Sequence, residues 1–174
     1  MTHLRAFPAA ILCLAALAPS ICPAAASAAV FVVRHAEKQS EANDREVPLS
    51  EAGRARAKRL AAMLKDAGIV AIYSTDTVRT RATAEPLASA SKIEPALYET
   101  SGPEAWKNLA DRILREHRGD NVLVVGHSNT IAPLVEALGC KDRVTVGAQE
   151  YDGLWIVVPA PATGGAATLL RLRQ

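Results

Sequence analysis

Along this chain, short runs of apolar residues alternate with longer stretches in which apolar residues return every third or fourth position. Residues 30–34 open with Val30-Phe31-Val32-Val33, and residues 69–73 are similarly rich in β-branched and aromatic side chains, which predicts two strands. Residues 121–125 are almost wholly apolar, as in a strand buried on both faces. Between them the period changes. Ser50 caps a helix running to about residue 67, with Ala57, Leu60, Ala61 and Leu64 on one face and Gly68 as its stop. A second helix is expected over 79–90, with Pro86 able to kink or break it. Pro103 opens a third, burying Trp106, Leu109, Ala110, Ile113 and Leu114 and ending at Gly119. A fourth follows residues 126–129 and ends near Gly139. Residues 39–48 contain Asn43, Asp44 and Pro48 and read as a loop.

Residues 154–158 and 167–172 are strand-like runs joined by a Pro/Gly-rich connection, which predicts a closing hairpin. Strand–helix alternation of this kind implies an α/β fold: a three-layer sandwich with a mainly parallel central sheet and helices on both faces. The C-terminal hairpin would make that sheet mixed. Residues 29–174 are expected to form one domain.

Residues 1–28 stand apart. Arg5 precedes an apolar stretch from Ala6 to Ala18, small residues follow, and Ala26-Ser27-Ala28 is an A-x-A cleavage pattern, so a secretory signal peptide and a periplasmic or secreted product are expected. The stretch is too short for a stable membrane span, and none is expected after cleavage. The leader carries one basic and no acidic residue, so the formal charge of +2 drops to near +1 without it. That balance gives no reason to expect nucleic acid or an anionic membrane as partner. Cys13 and Cys22 leave with the leader; Cys140 alone cannot form an internal disulfide.

Chemistry concentrates at the ends of predicted strands, where open α/β sheets bind ligands. The first strand ends in Arg34-His35-Ala36-Glu37, the second in Tyr73-Ser74-Thr75-Asp76 with Arg79 opening a helix, and the third in Gly126-His127-Ser128. If those strands are adjacent, two guanidinium groups and two imidazoles converge. Such a cluster calls for an anion, and arginine forks match phosphate oxygens. Helix N-termini at the same places favour anions too.

These motifs resemble the histidine phosphatase superfamily, also called phosphoglycerate mutase-like, branch 1. Residues 31–37 look like its opening signature, Pro48-Leu49-Ser50-Glu51-Ala52-Gly53 like its L-[ST]-x-x-G segment, and residues 75–84 like S-x-x-x-R-A-x-x-T-A. Residues 124–128 are similar to its second-histidine motif and Leu97-Tyr98-Glu99 to its L-x-E acid segment. Ala36 and Thr80 depart from the usual glycine and alanine, and Ser128 stands where branch 2 has aspartate. The resemblance implies a metal-independent phosphatase of phosphate monoesters, with no cofactor. His35 would form a phosphohistidine, Arg34 and Arg79 hold the phosphoryl oxygens, His127 stabilise the developing charge, and Glu99 act as general acid. Glu37 and Asp44 remain alternatives for the acid. Glu37, Ser128 and Asn129 are expected to contact substrate, Lys38 to line the entrance, and His117 to be structural. The substrate would be a small phosphorylated compound, an envelope sugar phosphate among the options; oligomeric state is not legible.

Other classes fit less well. A serine hydrolase elbow at Gly126-His127-Ser128-Asn129-Thr130 lacks its last glycine, and no histidine follows His127. No H-x-x-x-H or H-E-x-x-H spacing supports a metal hydrolase. A non-catalytic periplasmic phosphate-ligand binding module on the same scaffold is the alternative, which turnover would separate.

Overall fold

The computed structural model describes residues 28–41, 44–102, 104–161 and 164–174. The expected leader, apart from Ala28, therefore lies outside the described residues, as does Pro103. Ten elements follow in order: β1 (Val30–Arg34), α1 (Glu51–Leu64), β2 (Ile69–Ser74), α2 (Val78–Ser91), β3 (Ala96–Leu97), α3 (Ala105–Glu116), β4 (Asn121–Gly126), α4 (Ser128–Ala137), β5 (Gly153–Val158) and β6 (Thr168–Arg173). Pro86 sits inside α2 without ending it. The two-residue β3 is too short to leave a periodic signal in the sequence.

The six strands form one sheet in the order β3-β2-β4-β1-β5-β6. The first four in that order run parallel, whereas β5 is antiparallel to both β1 and β6. The sheet is thus mainly parallel, and its mixed edge is the expected hairpin. Side-chain alternation divides the apolar residues between two faces. Val30 and Val32 of β1, Tyr73, Val122, Val124, Trp155 and Val157 pack with Leu109 and Ile113 of α3 and Ile131 and Leu134 of α4. Val33, Ile72, Leu123, Val125 and Leu154 face the other way, onto Leu60 and Leu64 of α1 and Leu87 of α2. Continuous apolar runs were needed because both faces are covered. Among the described residues no helix is long and apolar enough to cross a membrane.

Register then fixes the site. Arg34 pairs with Gly126 and Ser74 with Val125, so β1, β4 and β2 end level with one another. The loop after β1 is pinched at its base by the bridge between Lys38 and Leu49 and by Gln39 N donating to Pro48 O at 2.9 Å. Its far end lies on the start of α2, where Val78 N donates to Arg45 O at 2.9 Å and Arg45 pairs with Asp76. Ser50 caps α1 by accepting from Gly53 N at 3.1 Å, while Ser50 N donates to Glu37 O at 2.9 Å.

Gly53 is required by that crossing. A Cβ there would lie 2.1 Å from the Glu37 carbonyl oxygen, a backbone atom with little freedom to yield. In an ordinary helix interior, Gly→Ala stabilises by up to about 1 kcal/mol. At position 53 the sign should reverse, with Gly53→Ala costing about 1–3 kcal/mol through overpacking. A urea midpoint that rises in this variant would show that the loop does not bear on α1.

Candidate active site

Each chemistry-bearing side chain is delivered by a strand end. His35 follows β1 and its backbone N donates to Gly126 O at 2.8 Å, extending the ladder by one residue. His127 follows β4 and caps α4, its backbone N donating to Thr130 Oγ1 at 2.8 Å. The two imidazoles meet edge to face with ring centroids 5.3 Å apart. Arg34 and Arg79 are both buried. Alternation sends the Arg34 side chain to the α3/α4 face of the sheet, while the first turn of α2 carries Arg79.

Both guanidinium groups are tethered through one nitrogen. Arg34 Nη1 donates to the carbonyls of Gly147, Ala148 and Glu150 at 3.1, 2.8 and 3.1 Å. Arg79 Nη1 donates to Asp44 O at 2.7 Å. In both, the buried Nε has no hydrogen-bond partner among the described residues. A donor left so in the interior is costly, and the same donor is left in both arginines. An anion bonded at the Nε edge of either fork would satisfy that donor. The N-terminus of α2 adds its own partial positive charge, which opposes Arg79 and would favour an anion.

Electrostatics keep the imidazoles neutral. Burial above all lowers His35 from 6.5 to about 3; the bond to Ala36 O opposes this, and the charges of His127, Arg79 and Arg34 add to it. Burial, then Arg79 and Arg34, lowers His127 from 6.5 to about 4. His35 Nδ1 lies 2.8 Å from Ala36 O, which can only accept, so Nδ1 carries the proton and Nε2 keeps its lone pair. His127 Nε2 lies 2.8 Å from Thr75 Oγ1, and Thr75 is itself held by Thr80 at 3.0 Å. Burial, then the like charge of Arg34, lowers Arg79. A neutral nucleophile-type nitrogen beside fixed cations suits attack on a phosphoryl centre.

The remaining expected residues are placed differently. The Glu37 carboxylate is taken by Arg56, whose Nε and Nη2 donate to it at 2.6–3.0 Å, and this pairing holds the carboxyl below its ordinary range. Glu37 thus bears on the site through its backbone. Ser128 and Asn129 begin α4, Ser128 half-buried and Asn129 exposed. Glu99 is exposed just after β3, lining a cavity of about 390 Å³ with Ser101, Asn108 and Arg112. Lys38 is half-buried and lies 3.6 Å from Glu41. His117 ends α3, 3.0 Å from the Tyr73 hydroxyl and away from the two imidazoles. Two residues were missed. Thr83 Oγ1 accepts from Ala36 N at 2.9 Å, tying the turn after β1 to α2. Tyr151, from the polar stretch before β5, places its ring 4.0 Å from the Arg34 guanidinium carbon and 5.9 Å from the His35 ring.

Comparison with known proteins agrees with this geometry. Residues 30–102 match the sequence profile of the histidine phosphatase superfamily (branch 1). An 8-oxo-(d)GTP phosphatase from Mycolicibacterium smegmatis is 33% identical over 116 residues, covering 62% of this chain and 36% of that protein. The chain thus matches about a third of that relative's length. The protein histidine phosphatase SixA complexed with tungstate superposes with a TM-score of 0.63 at 19% identity, covering 83% of this chain and 96% of SixA. YhfR of Bacillus stearothermophilus gives a TM-score of 0.62 at 19% identity, covering 82% and 95%. At these identities the structural likeness concerns the fold.

Neutral buried imidazoles leave a mark on stability. In the unfolded chain His35 and His127 titrate near 6.5, whereas folded values near 3 and 4 keep them unprotonated. The unfolded state therefore binds more protons below pH 6.5, and folding stability falls as pH falls toward those folded values. From pH 7.5 to 5.5 the loss should be about 1.4 kcal/mol per histidine, above the window in which carboxylates contribute. Urea titrations at the two pH values measure it, and replacing both histidines by asparagine should remove most of the slope. An unchanged slope would mean that neither imidazole is held neutral.

Proposed function

We propose that the chain, whose residues 30–102 match the histidine phosphatase superfamily (branch 1) profile, hydrolyses phosphate monoesters through a phosphohistidine on His35. The observation that carries this is the meeting of His35 and His127 at 5.3 Å between two buried arginines, each with an unpartnered Nε. His35 Nε2 attacks phosphorus in line, an N–P bond forms and the P–O bond to the leaving group breaks. Water then attacks the phosphohistidine, releasing inorganic phosphate and returning the lone pair to Nε2. Arg34 and Arg79 hold the equatorial oxygens throughout. Each close cation–oxyanion pair is worth about 4 kcal/mol at an effective dielectric near 20, before desolvation is counted. His127 stabilises charge that develops on the transferring group.

Glu99 is the proposed general acid for the leaving oxygen. It is exposed after β3, next to Tyr98, whose backbone N donates to Ser74 O at 3.0 Å, so it follows directly on the strand end beside the site. Glu37 suits the role less, because Arg56 holds its carboxylate ionised at neutral pH. The substrate is a small phosphorylated compound. Export, supported by the leader pattern of residues 1–28, would put envelope sugar phosphates within reach. The name of the nucleotide-directed relative brings nucleotides into the same screen. If the leader is cut after Ala28, protein recovered from the periplasmic fraction will begin at Ala29 by mass spectrometry; an intact Met1 terminus there would remove this part of the proposal.

Turnover of an aryl phosphate, with a screen of sugar phosphates and nucleotides, separates an enzyme from a phosphate-binding module. His35→Ala should abolish turnover and the acid-labile phosphoenzyme trapped in a rapid quench. Parental release of phosphate by that variant would remove His35 as nucleophile. Glu99→Gln should slow alkyl phosphates by 10²-fold or roughly more, and aryl phosphates far less, because a good leaving group needs no proton. Equal losses on both substrates would exclude Glu99 as the acid.

A further inference from the structure

Tyr151 reaches the site from an unusual direction. Because β5 runs antiparallel to β1, with Val33 opposite Leu154, the start of β5 lies where β1 ends. Two steps before that start stands Tyr151, buried and level with the turn that carries His35. The preceding residues form a tight turn: Glu150 N donates to Gly147 O at 3.0 Å, and Gly147 N donates to Glu150 Oε2 at 3.0 Å. This turn aims the carbonyls of Gly147, Ala148 and Glu150 at Arg34 Nη1.

Three carbonyls on one nitrogen anchor the Nη1 end of the fork. The Tyr151 ring adds a second, independent contact, with its centroid 4.0 Å from the guanidinium carbon in a cation–π contact that strengthens away from water. The same ring lies 5.9 Å from His35, so one side chain spaces cation from nucleophile. On the phosphatase reading above, we infer that Tyr151 is a positioning residue for Arg34: ring and carbonyl cradle together hold the unpartnered Nε edge toward the phosphoryl group.

The test is a double-mutant cycle read by anion binding and by turnover. Tyr151→Leu should weaken inorganic phosphate or tungstate about tenfold, the scale of a desolvated cation–π contact, and lower kcat with it. Tyr151→Phe, which keeps the ring, should recover most of that loss. In an Arg34→Ala background Tyr151→Leu should add little, because its effect passes through the arginine. If Tyr151→Leu does not fold, Tyr151→Met replaces it in the cycle. Full additivity with Arg34→Ala, or a Phe variant as weak as the Leu variant, would overturn the inference. Anion affinity unchanged in Arg34→Ala itself would instead overturn the phosphoryl pocket, and so the two failures are distinguishable.

Discussion

Burying two guanidinium groups beside two imidazoles sets like charge against like charge in a medium that screens it poorly. The fold meets this constraint in two ways. Carbonyl oxygens from loops, three around Arg34 and that of Asp44 at Arg79, surround the cations with partial negative charge, and the nearby Asp44 charge opposes the lowering of Arg79. The imidazoles stay unprotonated, lowered to about 3 and 4, so two further charges never enter the pocket. What remains is a cluster with positive charge, an arrangement that would favour an anionic ligand. A carboxylate in place of those carbonyls would have made a more self-sufficient site and one less suited to an anion.

Everything that brings these groups together is a consequence of register. Had β1 slipped by one residue against β4, Arg34 and His35 would exchange faces, because side chains alternate with period two. Apolar residues prevent the slip: Val30 and Val32 belong to the α3/α4 core, and Val33 to the α1/α2 core. The core therefore acts on the site through alignment. Gly53 and Thr83 act similarly at the turn after β1, the first by letting α1 approach Glu37 O and the second by accepting from Ala36 N.

Much of this was legible before any coordinates. Continuous apolar runs marked β1, β2 and β4, and the residues after each run supplied Arg34, His35, Arg79 and His127; the observed strand order makes those three runs neighbours. Less was legible where long-range pairing decides. Glu37 looked available from its place beside His35, but Arg56, on the facing helix, claims its carboxylate. The strand β3 is two residues long, and pairing with β2 rather than any local pattern creates it.

Tyr151 escaped notice for a more instructive reason. The rule that ligands gather at carboxyl ends of strands holds for parallel neighbours. Once a hairpin is expected at the end of such a sheet, its first strand must run against its neighbour and bring its amino end to the same edge. Residues just before β5 then become site residues by topology, whatever their local composition. Here that segment is polar and glycine-containing, the signature of an ordinary loop, yet it supplies both the carbonyl cradle and the aromatic face for Arg34. A mixed sheet thus draws one edge from both chain directions: parallel strands deliver the two imidazoles and Arg34, and the segment before the antiparallel one delivers the carbonyls and ring that contact Arg34.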